Sequence, residues 1–239
     1  MIHQEPASTI VNSTANYISP TERQAAGKAL RDRIPRSSHS KWKVPTDRPD
    51  PIALLKISSK GRLPNLVPIR YGRMLKSPFA FLRGSAIVMA SDLATTPTTG
   101  IYVQACGDCH LLNFGGYATP ERNLVFDLND FDETLPAPWE WDIKRLATSF
   151  VVAGRHINAS ENNCHEAALM AACSYRQHMR KYAQMGAIEV WYSRIDASVL
   201  RNFARHVQHR QRIEWYMEKA LTRTSAQALP KLTEVVRGQ

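Results

Sequence analysis

Three polar residues within six positions, Asp108, His110 and Asn113, carry side chains suited to phosphoryl-transfer chemistry. A positioned aspartate can accept the proton of an attacking hydroxyl group, and an asparagine oxygen beside a carboxylate can hold Mg²⁺. The bound metal neutralises charge that develops on the phosphoryl oxygens. The three residues follow Gly107 between two apolar, strand-like runs, so we expect a loop that presents them at one point.

A second acidic cluster follows one hairpin later and contains Asp127, Asp130 and Asp132. Residues 111–117 and 124–128 are strand-like and are joined by the turn sequence ATPERN, which predicts a β-hairpin. An Asp and an Asn five residues apart, then a hairpin leading to more aspartates, is the layout of a protein-kinase-like phosphotransfer site. The predicted cofactor is therefore Mg²⁺ or Mn²⁺, bound by Asn113 and carboxylates of this cluster.

The pattern Cys106-x-x-Cys109-His110 overlaps the same loop and matches the sequence for covalent haem attachment. Haem attachment is disfavoured because no export signal precedes the pattern. A redox-active cysteine pair is disfavoured because such a pair normally opens a helix, and the residues that follow here look like a strand. Zinc would need a second paired cluster, and Cys164 and Cys173 have poor spacing for one. We expect no haem and no zinc, but two small buried cysteines that flank Asp108.

The charge of the chain is unevenly distributed. Its net charge of +10 divides into +6 for residues 1–62, −3 for residues 63–169 and +7 for residues 170–239. Between Asp108 and Asp142, eight carboxylates accompany a single basic residue, Arg122. The acidic centre suits divalent cations. The basic flanks suggest a second function class, a non-enzymatic module that binds nucleic acid or another polyanion. Few aromatic residues interleave with the basic ones, so this alternative is not favoured.

Targeting signals are not visible in the sequence. The first residues lack a basic segment followed by an apolar one, and no apolar run approaches the ~18 residues that span a bilayer. Four cysteines in 239 residues do not form a disulfide scaffold. We therefore expect a cytoplasmic protein with no membrane partner.

Helical and extended patterns outline an α+β fold. Ser19-Pro20-Thr21-Glu22 is a helix start with a capping box, and Asp50-Pro51 begins another helix. Apolar residues at helical spacing predict one buried helix from Pro78 to about residue 94, and a short strand follows Gly100. Further helices are predicted at about 139–157, 160–186, 189–222 and 225–236. We divide the chain into an N-terminal helix with a basic, Pro-rich linker (1–50) and a domain (51–239).

Four long stretches resemble the bacterial family called domain of unknown function 2252: SPTERQAAGKALRDRIPRSSHSKW, RYGRMLKSPFAFLRGSAIVMASDLA, QACGDCHLLNFGGY and NLVFDLNDFDETLPAPWEWDIKRLA. The family is in turn distantly similar to aminoglycoside phosphotransferases and protein kinases, whose loop reads His-Gly-Asp-x-His-x-x-Asn. The resemblance implies the core of a kinase-like catalytic lobe. Cys106 stands where the phosphotransferases usually have His.

The resemblance also implies roles for residues. Asp108 would be the catalytic base, with His110 beside it, and Asn113 a metal ligand. The spacing from Asn113 favours Asp127 as the second ligand, whereas the Asp-Phe-Asp pattern and the distance to Asp142 favour Asp130; Asp132 stays a third candidate. Asp142 falls where those enzymes place a supporting Asp. Apart from the resemblance, the position of Arg83 on an otherwise apolar helix predicts that it either grips a cofactor phosphate or pairs with a central carboxylate.

No Gly-x-Gly-x-x-Gly segment for a nucleotide clamp occurs in the chain, and its only Gly pair, Gly115-Gly116, belongs to the hairpin. Relatives look as though they continue into a Gly-rich segment and a strand carrying Lys. The chain thus resembles a truncated family member with weak or no activity alone, to which ATP would bind only together with the missing half. Its expected partner is a complementary nucleotide-binding segment or a second copy of itself.

Overall fold

The computed structural model describes residues 18–121, 123–204, 206–222 and 233. Helix α1 (Pro20–Arg33) begins as predicted: the Ser19 hydroxyl accepts a hydrogen bond from the Glu22 amide at 3.2 Å, and the Ser19 amide donates to the Glu22 carboxylate at 2.8 Å. None of its residues is buried. A short 3₁₀ helix (Arg36–Ser40) follows within the predicted linker.

Four short helices form the next layer: α2 (Pro51–Ser58), α3 (Val67–Met74), α4 (Pro78–Gly84) and α5 (Ala86–Leu93). Leu55, Met74 and Val88 pack together between them. The helix predicted from Asp50-Pro51 is confirmed, because the Asp50 carboxylate accepts the amides of Ile52 and Ala53 at 3.2 and 2.9 Å.

The prediction of one continuous helix from Pro78 is wrong, because the chain leaves helical geometry at the buried Ser85 (φ −126°, ψ 41°). Two arginines bond carbonyls at the end of α4: Arg70 donates to the Gly84 carbonyl at 2.5 Å, and Arg145 donates to the Leu82 carbonyl at 2.7 Å. The carbonyls are thereby satisfied without a continued helix. Gly84 allows the close packing, since a Cβ there would lie 2.6 Å from the Met74 sulfur.

Two two-stranded antiparallel sheets lie in the described part of the chain. Strand β2 (Phe114–Ala118) pairs with β3 (Leu124–Leu128), which confirms the predicted hairpin, although residues 111–113 form a 3₁₀ turn rather than strand. Strand β1 (Tyr102–Ala105) pairs with β4 (Leu135–Pro138), and β4 was not predicted from the sequence. The two prolines of β4 argue against a central strand, but they are tolerated in a two-stranded sheet, where each strand has a free edge.

Helices α6 (Glu140–His156) and α7 (Glu161–Tyr182) pack against each other. The predicted helix over 189–222 is wrong as a single element: α8 (Ala187–Trp191), α9 (Ala197–Phe203) and α10 (Val207–Thr222) replace it. The break between α8 and α9 has a cause in the sheet, because the Phe126 amide donates to the Ile195 carbonyl at 2.8 Å and Val125 bridges to Asp196. The helix predicted over 225–236 lies outside the described residues, apart from residue 233.

The α+β prediction is confirmed by this arrangement of helices with small antiparallel sheets. No described helix has the length and apolarity that crossing a bilayer requires.

Candidate functional site

The loop that follows β1 has a tightly fixed beginning. Gly107 has φ +80°, and a Cβ at this position would collide with the Glu133 carbonyl oxygen, so the position requires glycine. Asp142, in the first turn of α6, accepts hydrogen bonds from the amides of Cys106 at 2.8 Å and Gly107 at 3.1 Å. The side chain of Asp142 therefore clamps the loop backbone directly before Asp108.

Asp108 is held by an arginine that the sequence reasoning did not single out. Arg145 of α6 is 2% exposed, and its Nε donates to Asp108 Oδ1 at 2.6 Å while its Nη2 also contacts the same oxygen. The guanidinium donates to the Leu82 carbonyl as well, at 2.7 Å. The available signal was helical spacing: Arg145 and Ser149, four positions apart on one face of α6, are both buried. The charged residue on that face marks a buried ion pair.

His110 lies beside the same carboxylate and is 3% exposed. Its Nε2 is 3.8 Å from Asp108 Oδ2, and its Nδ1 accepts the Leu112 amide at 3.2 Å. Because Nδ1 accepts, the proton of the neutral ring sits on Nε2, toward Asp108. Burial lowers the pKa of His110, and the charges of Arg145 and Arg83 lower it further, although Asp108 acts in the opposite direction. His110 is therefore a neutral donor near pH 7.

Asn113 joins the end of the loop to Asp108. Its Nδ2 donates to the Asp108 carbonyl at 2.7 Å, and its own carbonyl accepts the Asn129 amide at 2.9 Å. The side chain is buried, with 8% of the residue exposed. The structure thus brings three predicted site residues, Asp108, His110 and Asn113, into one hydrogen-bonded turn beside the β2–β3 hairpin.

The acidic segment after β3 lies against the start of the same loop. The Asp130 carbonyl accepts from the Cys106 thiol at 3.5 Å. The side chains of Asp127, Asp130 and Asp132 are exposed. Two of these carboxylates are bonded locally: Asp127 accepts the Leu128 amide at 2.8 Å and Asp130 accepts the Asp132 amide at 3.3 Å. Among the described residues, no three Asp, Glu, His or Cys side chains form a metal-binding group, so the metal role of this segment stays a prediction.

Cys106 and Cys109 flank Asp108 and are both buried, as predicted. A hydrogen bond between the two thiols lowers the pKa of Cys106 and raises that of Cys109, and burial adds to the increase at Cys109. The two cysteines are free thiols that pack the inner side of the loop.

Arg83, the predicted cofactor-binding residue, is exposed on α4. Within the described part of the chain it forms no ion pair with a carboxylate; Arg145 pairs with the central aspartate instead. The charge of Arg83 still lowers the pKa of His110, which places the guanidinium in the electrostatic neighbourhood of the loop. Its contact with a phosphate stays a prediction.

These features define an α+β protein with a buried Asp–His–Asn turn, clamped by an aspartate and an arginine from one helix. Residues 62–239 match the family described as "Uncharacterized protein conserved in bacteria (DUF2252)", and the chain belongs to this family. No curated protein matches the chain, and no solved structure does.

Proposed function

We propose that the chain is a phosphotransferase-like domain whose centre is the Asp108–Asn113 turn. The observation that carries the proposal is the 2.7 Å hydrogen bond from Asn113 Nδ2 to the Asp108 carbonyl. This hydrogen bond holds Asp108, which would contact the attacking hydroxyl group, close to Asn113, which would bind the metal. Phosphoryl transfer requires mainly this kind of positioning, together with electrostatic stabilisation.

In the proposed reaction, Asp108 orients the substrate hydroxyl group. Oδ1 is engaged by Arg145, which leaves Oδ2 as the atom that would accept the hydroxyl proton. A loose transition state develops little need for a strong base before the bond to phosphorus is largely broken. His110 Nε2 lies 3.8 Å from Oδ2, beyond hydrogen-bond distance, so Arg145 is the side chain that would fix the carboxylate.

The donor set near the turn fits a hard cation in part. The hydrogen bond made by Asn113 Nδ2 directs the amide group, so that Oδ1 is the atom available as a ligand. Mg²⁺ commonly takes one or two carboxylates and completes its shell with water and substrate phosphates, so a three-carboxylate cage is not required. Asp130 is the favoured carboxylate, since its backbone contacts Cys106 at the start of the loop. The metal would supply charge neutralisation at the phosphoryl oxygens.

We also propose that the domain acts with a complementary nucleotide-binding segment and is a poor catalyst without it. The sequence offers no glycine-rich phosphate clamp. Large apolar side chains are exposed on α8 and beyond it, including Ile188 (73% exposed), Trp191 (84%) and Tyr192 (76%). Exposed large apolar side chains grouped in one short segment are typical of interaction sites.

The test is calorimetric titration of the chain with ATP and Mg²⁺, alone and with a Gly-rich, Lys-bearing segment supplied as a separate polypeptide. We expect weak binding alone and at least tenfold tighter binding with the segment, because the segment would supply the contacts that position the nucleotide phosphates. Asp130→Asn should remove the gain, whereas the control Asp47→Asn, on an exposed linker residue, should keep it. Tight ATP binding by the chain alone, or binding indifferent to Asp130→Asn, contradicts the proposal.

A second candidate, binding to a nucleic acid, rests on one observation at α10. The Lys219 ammonium lies 4.4 Å from the centre of the Trp215 ring, and Trp215 and Tyr216 are each about half exposed (51% and 53%). Exposed aromatic rings next to cations are typical stacking platforms for single strands. The candidate is weaker because it leaves the Asp108–Asn113 turn without a role.

A further inference from the structure

A cavity of about 710 Å³ lies between α4, α5, α6 and the segment from His39 to Arg48. This volume is within the range of roughly 300–1,000 Å³ that is typical of small-molecule sites. Most of the wall is apolar and comes from side chains of the three helices: Phe81, Leu82, Val88, Met89, Leu93 and Val152. No residue of the Asp108–Asn113 turn lines the cavity. Two of the lining residues, Leu82 and Met89, also contact Arg145.

The polar groups of the wall differ in whether their charge is compensated. Arg48 forms two hydrogen bonds with Asp92, at 2.6 and 2.8 Å, so this pair is neutral overall. Burial lowers the pKa of His39, and the nearby Lys144 charge lowers it further, so the ring is neutral near pH 7. Neither group therefore offers a free charge to a ligand.

Lys144 is the cation of the wall that lacks an acidic partner. Its Nζ donates to Thr96 Oγ1 at 2.7 Å, and no carboxylate oxygen of the described residues lies within 4.0 Å of it. Glu140 lies one helical turn earlier. Its Oε1 accepts both the amide and the hydroxyl group of Thr99, at 2.8 and 2.7 Å, and its Oε2 is buried without a hydrogen bond to Lys144. Burial lowers the pKa of Lys144, and the charge of Glu140 acts in the opposite direction.

We propose that this cavity binds an apolar monocarboxylate, with the carboxylate on Lys144 and the apolar body along α4 and α5. One ammonium group that forms no ion pair with the described residues matches a single negative charge. A phosphate dianion would need more donors, because Arg48 is already committed to Asp92. An apolar body is required because the remaining wall offers mainly dispersion contacts and burial of apolar surface. This inference does not depend on the proposed phosphotransferase function.

The experiment uses a matched pair of probes, decanoate and 1-decanol, titrated into the full chain by calorimetry. The probes share the apolar chain and differ in charge. A charge-assisted hydrogen bond predicts about tenfold or greater preference for decanoate. Lys144→Met should abolish the preference by weakening decanoate binding alone, and Lys144→Arg should restore it. The control Lys181→Met, an exposed lysine on α7, should behave like the wild-type chain.

A second variant, Val152→Trp, fills the cavity and should weaken both probes, with circular dichroism to verify that it folds. Equal affinity for the two probes would show a neutral apolar groove and overturn the proposal. So would decanoate binding that survives Lys144→Met, or no binding of either probe at millimolar concentration. If Val152→Trp does not fold, the Lys144 series alone decides between these outcomes.

Discussion

Replacing Arg145 with methionine should be among the most destabilising single changes in the described part of the chain. The side chain of Arg145 is 2% exposed and that of its partner Asp108 is 14% exposed, so methionine would leave a largely buried carboxylate without its cation. Removing one partner of a buried ion pair costs about 3–5 kcal/mol. The Leu82 carbonyl contributes less to this cost, because it keeps a hydrogen bond from the Ser85 amide at 3.3 Å.

The assay is urea unfolding of the wild-type chain, Arg145→Met, Asp108→Asn and the double variant. Each single change leaves one buried group unpaired, whereas the double variant removes both charges. The double variant should therefore lose less than the sum of the single losses, with an interaction energy of about 1–3 kcal/mol.

The matched control is Arg155→Met, also on α6. Arg155 pairs with Glu161 at the surface, with side chains 55% and 57% exposed, and should cost far less than Arg145→Met. Equal losses for the two arginine variants, or strictly additive losses for Arg145→Met and Asp108→Asn, would refute the assignment of a buried, energetically coupled pair.

Three further predictions concern the loop, the histidines and the basic flanks. Gly107→Ala should destabilise the chain by at least about 1–3 kcal/mol in urea unfolding, because φ is positive at this position and the added Cβ would collide with the Glu133 carbonyl. The control Gly27→Ala, in helix α1 where nothing lies within 4 Å of the added Cβ, should be neutral or stabilising. Burial lowers the pKa of both His110 and His39 in the folded state, so the unfolded chain binds more protons just below pH 6.5. The free energy of unfolding should therefore rise with pH through this range, and the slope should flatten when both histidines are replaced by glutamine; a slope unchanged in that variant would contradict the burial argument. If the basic flanks bind nucleic acid, affinity for mixed DNA and RNA should fall steeply between 50 and 200 mM salt, on the order of tenfold or more, and no binding at either salt concentration removes that candidate.

The features that the sequence predicted correctly depend on neighbours along the chain. The capping box at Ser19 and the β2–β3 hairpin are set by a few consecutive residues, which is why their pattern is visible in the sequence. The Asp108–Asn113 turn is only partly local: the hydrogen bond from Asn113 to the Asp108 carbonyl spans five positions, whereas Arg145 bonds the Asp108 side chain from 37 positions away.

The features that the sequence did not reveal depend on contacts between distant segments. The end of α4 is stabilised by Arg70 and Arg145, and the latter is 63 residues from the carbonyl that it bonds. Strand β4 exists because β1 supplies its partner. Propensity and periodicity report local preference, and tertiary hydrogen bonds outweigh it at such positions.

The most direct test of the phosphotransferase-like assignment is to find where a divalent cation binds. Mn²⁺ titrated into ¹⁵N-labelled chain broadens the amide signals nearest to the metal. We predict that the first signals to broaden are those of Asn113 and of one among Asp127, Asp130 and Asp132, and that Asn113→Ala abolishes this pattern. Broadening centred elsewhere, or unchanged by Asn113→Ala, would contradict the assignment.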